Sequence, residues 1–172
     1  RKAGQGEFIC TCAGLGLFGA ICDGDGEVRK AVREQLRNGA NQIKVMAGGG
    51  VASPTDPIDG TQFSRAELEA IVEEVEAANT YAMAHAYSPR AITRAVEAGI
   101  RTIEHGNLMD EASARAMRKA GAFYVPTLAT YNAFLNDPSL TGFSDEMKAK
   151  ADRVSSSGLQ AIKIAKSEGV PI

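Results

Sequence analysis

Four times along this chain a charged, helix-spaced run stops on a glycine followed at once by an apolar residue: Gly39-Ala40, Gly99-Ile100, Gly121-Ala122 and Gly169-Val170. The position after a helix often needs positive φ, which lacks a steric penalty only without a β-carbon. The runs before these stops carry apolar residues on one face. Glu27–Asn38 has Val28, Val32 and Leu36, and a further run, Arg65–Thr80, has Leu68, Ile71, Val72 and Val75. Ser64 and Glu67 form a capping box ahead of the latter. Ser88-Pro89 opens a helix ending at Gly99, with proline where its missing N–H costs least. Asp110–Lys119 and Asp145–Ser167 complete the helices. Between them Gln42–Ala47, Tyr81–His85, Ile100–Glu104 and Ala122–Pro126 read as short strands, and Val170-Pro171-Ile172 begins another extended segment. Short apolar strands alternating with amphipathic helices predict an α/β fold of parallel strands joined by helical crossovers. We read four and a half βα units.

The first 26 residues are glycine-rich and show no period, so the expected division is an irregular segment at 1–26 and βα repeats at 27–172 within one domain. The 172 residues fall short of the roughly 250 of a complete eight-stranded barrel. A net charge of −2 gives no reason to expect nucleic acid as a partner. No apolar stretch approaches the ~20 residues of a membrane span, so no membrane is expected either. Cys10, Cys12 and Cys22 are odd in number and have no fourth ligand cluster, which argues against a disulfide or a metal knuckle. They read as reduced thiols of a cytoplasmic protein.

Both histidines of the chain end predicted strands: His85 closes YAMAH and His105 closes RTIEH. The carboxyl ends of parallel strands are where functional side chains gather. Histidines ending consecutive strands would be neighbours, close enough to share a metal ion; the alternative is packing or hydrogen bonding. Lys44 stands inside Ile43-Lys44-Val45-Met46, where a strand buried on both faces should be apolar throughout. A buried lysine must be paired, neutral or modified. It could be an edge-strand lysine reaching water, or the partner of Glu104. A neutral amine could instead react with carbon dioxide to give a carbamate, an anionic oxygen ligand able to bridge two ions. Strand alternation sets Glu104 on the face opposite His105, as a structural partner. Gly48-Gly49-Gly50 either cradles a phosphate or lets a ligand approach the backbone, and Ser53 to Pro57 continues it as a turn-rich rim.

Three stretches, QIKVMAGGGVASPTDP, AHAYSPRAITRAVEAGIRTIEHGNLMD and FYVPTLATYNAF, resemble the amidohydrolase superfamily. They are most similar to its imidazolonepropionase-like branch of metal-dependent Xaa-Pro dipeptidases and carboxypeptidases. The likeness covers residues 27–172 and fades before them. It implies a (β/α)8 barrel, of which this chain would hold strands four to seven and the start of strand eight. It implies two divalent ions, zinc first, with manganese, cobalt or iron as competitors. Lys44, once carboxylated by CO2, would bridge them, and His85 and His105 would bind the second. A metal-bound hydroxide would then attack the amide carbonyl of a small substrate, a dipeptide or N-acyl amino acid. Tyr131, in the loop after strand seven, is the first candidate to bind a substrate carboxylate, with Arg90 and Tyr87 behind it. The family's first-strand His-x-His pair is absent, and the chain stops before the strand-eight aspartate that would act as general base. The expectation is therefore a central piece of a longer enzyme, inactive alone, with homo-oligomerisation open. Two other readings remain: a non-catalytic barrel remnant serving as a binding module, and a phosphate-binding barrel enzyme using Gly48–Gly50.

Overall fold

The computed structural model describes residues 19–53, 55–136 and 144–172; Cys10 and Cys12 lie outside them. In chain order come α1 (Asp25–Arg37), β1 (Ile43–Met46), α2 (Arg65–Ala77), β2 (Ala82–Ala86) and α3 (Pro89–Glu97). There follow β3 (Thr102–His105), α4 (Glu111–Ala120), β4 (Phe123–Val125), α5 (Leu128–Asn136) and α6 (Asp145–Ser167). The fold is α/β. The strands form one parallel sheet in the order β1-β2-β3-β4, with His85 beside Met46 on one neighbour and beside Glu104 on the other. The segment after α6 reaches the free edge of β4, where the Tyr124 N–H donates to Pro171 O at 2.9 Å.

The local signals act as expected. Gly39, Gly99, Gly121 and Gly169 all have positive φ, and Asn79 (φ 56) substitutes for glycine after α2. Ser64 and Glu67 close a capping box, and Ser88 caps α3 with Pro89 in its first turn. Two boundaries differ. α1 starts at Asp25, inside the glycine-rich segment, because Gly24 (φ 81) turns the chain into it. α5 occupies what reads as loop, because LATYNAFLN has no charged face to reveal a helix.

Among the described residues, helices pack on one face of the sheet. Ile43, Val45, Ala82, Ala84, Ala86, Ile103 and Tyr124 are buried with apolar residues of α1 to α4 and α6. On the other face Lys44, Met46, Phe123 and Val125 are exposed. The expectation of strands buried on both sides therefore fails for the described residues. A smaller apolar cluster of Val51, Ile58, Tyr87, Tyr131, Ala151 and Val154 gathers residues from the strand-end loops, α5 and α6. No described helix is long and apolar enough to cross a membrane.

Candidate active site

His85 is 5% exposed near the end of β2, and its Nε2 lies 2.8 Å from Gly49 O. A carbonyl only accepts, so Nε2 carries the proton and Nδ1 keeps its lone pair. The carbonyl is delivered by an excursion that leaves β1 and comes back. Gly48 bridges Thr61 in antiparallel fashion, and the Gln62 N–H donates to Ala47 O at 2.9 Å. Gly49 is there for its size, since a β-carbon would lie 2.0 Å from Pro57 O. The glycine run thus spends its smallness on the chain's own packing. α6 clamps the excursion. The Lys150 ammonium donates to Ser53 O and Asp56 O at 2.9 Å each, and Arg153 grips the Asp59 carboxylate through two nitrogens at 3.0 and 3.2 Å.

His105 arrives differently. Alternation along β3 would leave it beside Ile103 on the helix side. Its φ of 78° turns the backbone at the strand end and brings its ring to 4.7 Å from that of His85. Its Nδ1 lies 2.6 Å from the Thr127 hydroxyl, and Thr127 itself has φ 50. Non-glycine residues rarely sit there, and a β-branched one is an outlier; such strain gathers at functional sites.

The ring of Tyr87 stands 4.8 Å from His85 and 5.4 Å from His105, and that of Tyr131 stands 6.0 Å from His105. The Tyr131 phenol donates to that of Tyr87 at 2.9 Å. Burial raises the pKa of both phenols, so both stay protonated. Burial likewise pushes both imidazoles down. His105 falls to about 3, helped by His85 and Lys44; His85 is lowered by burial and by Lys44, against the opposing Gly49 contact. Both rings are therefore neutral near pH 7, the state a metal ligand requires. Lys44 is near enough to act electrostatically on both.

The structure brings together Lys44, His85, His105, Tyr87 and Tyr131, and sets Arg90 apart. Arg90 is exposed and donates to Asp59 O at 3.1 Å. Three expectations change. Lys44 is exposed rather than buried: among the described residues β1 is an edge strand and no helix covers the face it points from. No ion pair joins it to Glu104 among the described residues. Glu104 does not face away from the site, because its register with His85 places it on the same face, where it accepts from the Thr102 hydroxyl at 2.6 Å. Tyr131 belongs to a helix and is 1% exposed. Two participants escaped the sequence reading. Thr127 carries a strand-end signal like that of the histidines, two residues past FYV. The Gly49 carbonyl, being backbone, carries none.

Among the described residues no group of three His, Cys, Asp or Glu gathers as a metal cage. The donor set is two neutral imidazoles and one lysine. It fits a metal ion because each ring has one nitrogen tied to the protein, which orients the other.

An amidohydrolase family model matches residues 5–172. Ochratoxinase from Aspergillus niger is 37% identical over 188 residues, covering 100% of this chain and 39% of that protein. A crystal structure of a prolidase complexed with N-methylphosphonate-L-proline superposes with a TM-score of 0.88 at 51% identity, over 99% of this chain and 42% of that one. A Xaa-Pro dipeptidase with methionine bound in its active site gives a TM-score of 0.76 at 30% identity, over 88% and 37%. The chain thus spans about two fifths of the length of these relatives. With a family match running nearly end to end and two strand-end imidazoles side by side, this chain belongs to the amidohydrolase family.

Proposed function

We propose that the protein is a metal-dependent hydrolase of the amide bond in a dipeptide or N-acyl amino acid, and that Lys44, His85 and His105 are metal ligands. The observation carrying this reading is the convergence of the two neutral imidazoles, each held by one nitrogen, beside Lys44 on three adjacent parallel strands. The sequential strand order, with helices on one face, supports a barrel segment. In this reading β1 to β4 are strands four to seven of a (β/α)8 barrel, the stretch after α6 starts strand eight, and residues 1–172 form part of one domain.

Two divalent ions, zinc first, with manganese, cobalt or iron as competitors, would supply Lewis-acid polarisation of the carbonyl and a water of lowered pKa. The chain's own residues prepare that chemistry. His85 offers Nδ1 and His105 offers Nε2. Lys44, open to solvent on the uncovered face, is accessible to CO2, and its carbamate would add anionic oxygens between the ions. Tyr87 and Tyr131 keep their phenol protons and border the imidazoles as the proposed contacts to a substrate carboxylate. The prolidase relative complexed with N-methylphosphonate-L-proline supports a substrate that ends in an amino-acid unit.

Elemental analysis tests this directly. Near-stoichiometric zinc or manganese is expected in purified protein, and its loss in a Lys44→Ala, His85→Ala, His105→Ala variant. A well-folded protein without metal would overturn the reading and favour a binding module.

A further inference from the structure

The two imidazoles offer different nitrogens, and for His105 the choice rests on one hydroxyl. Thr127 Oγ1 lies 2.6 Å from His105 Nδ1. The same hydroxyl is also hydrogen-bonded to the Tyr131 phenol, which in turn contacts the Tyr87 phenol at 2.9 Å. A hydroxyl has one proton to give. With Nδ1 held against Thr127, Nε2 is the nitrogen left for a metal ion. For it to keep a lone pair, Nδ1 must carry the proton and the Thr127 oxygen must accept from it.

We infer that Thr127 is a positioning residue that holds His105 in the Nδ1–H tautomer, so that Nε2 is the nitrogen available to a metal ion. The inference rests on the proposed metal-binding role of His105 and adds what sets its donor atom. Were the hydroxyl to donate to Nδ1 instead, Nε2 would carry the proton and could not ligate. The backbone is bent to suit this contact. His105 (φ 78) and Thr127 (φ 50) are both left-handed, in a conformation threonine seldom adopts. Thr127 follows β4 and immediately precedes α5, so the helix that carries Tyr131 starts from the residue that orients His105.

The test uses the intact protein labelled with nitrogen-15 at histidine, with the His105 signals identified by their disappearance in His105→Gln. Metal-free wild type should show the Nδ1–H tautomer at His105, and Thr127→Ser should keep it. Thr127→Val should shift the ring toward Nε2–H and weaken zinc binding about 10- to 100-fold, the usual cost of losing a ligand's supporting hydrogen bond. Thr127→Gly suits φ 50 and removes the hydroxyl, so it should show the same two losses without a folding defect. Unchanged tautomer and zinc affinity in the glycine variant would overturn the inference, as would an Nε2–H ring in wild type. A wild-type protein that binds no zinc but shows the tautomer shift in both variants would sink the metal reading and still support Thr127's hold on His105.

Discussion

His85 and His105 lie on adjacent strands with rings 4.7 Å apart, yet they are held by opposite means. His85 has a backbone carbonyl for a partner, brought by a loop that a buried ammonium fastens from α6. His105 has a side-chain hydroxyl, reached by bending two non-glycine residues into left-handed backbone. Each such residue costs about 1–2 kcal/mol. No substitution at Gly49 deletes its carbonyl, so the first hold can be broken only through packing. The second can be broken by removing one oxygen. One half of the site yields only when its loop is displaced, and the other when a single side-chain oxygen is removed.

Four experiments would break or sharpen that contrast. The largest effect belongs to Gly49→Ala, whose methyl would lie 2.0 Å from Pro57 O. The loop must then move and His85 lose its partner, and urea unfolding should show about 3 kcal/mol less stability. A loss below about 1 kcal/mol would show that the loop yields, and that its packing does not hold His85. Lys150→Met comes next. It keeps an apolar stem and removes the cation from two carbonyls, which should cost about 2 kcal/mol. The Glu146 contact at 3.0 Å adds little, because that carboxylate is well exposed.

The third experiment uses pH on metal-free protein. Both folded-state imidazole pKa values lie below the unfolded 6.5. Below that pH the unfolded chain takes up protons that the folded chain refuses. Stability should therefore be full above pH 6.5, and for His105 the loss should continue until pH nears 3. Between pH 7.5 and 6 His105 alone should cost about 0.8 kcal/mol, with His85 adding to the loss in the same direction. A His85→Gln, His105→Gln variant with the same acid slope would remove the histidines as its cause. The smallest effect is expected at Arg90→Ala. That arginine is exposed and only touches Asp59 O, so stability should stay within about 0.5 kcal/mol and metal content should not change. A fall in metal content would return Arg90 to the site.

Much of the architecture could be read before any coordinates. The glycine stops, the Ser64 and Ser88 caps and the alternation of strands with helices report local sterics and hydrogen bonding, which neighbouring residues decide. The two strand-end histidines were legible for the same reason, since a strand's end is a local feature and parallel sheets collect function there. Lys44 was misjudged because burial depends on what covers a strand, and a strand's own residues do not say whether one face stays open. Glu104 was misjudged because alternation was carried through His105, where positive φ breaks it. α5 was missed because it lacks the polar face that marks most helices. Its Tyr131 is accounted for only by the cluster in which it packs with Tyr87, Val51 and Val154.

By itself, then, the sequence determined the α/β class, the order of the four strands and the helices between them, the strand-end placement of His85 and His105, and the family. Each follows from steric preference and hydrophobic period acting over a few residues, or from residues that can be matched in order. The tertiary structure alone decided which nitrogen of each imidazole is tied, through Gly49 for one ring and Thr127 for the other. It also decided that Lys150, 97 residues along from Ser53, fastens the loop above His85. Contacts across such separations depend on how the helices pack on the sheet, and no local preference encodes that distance.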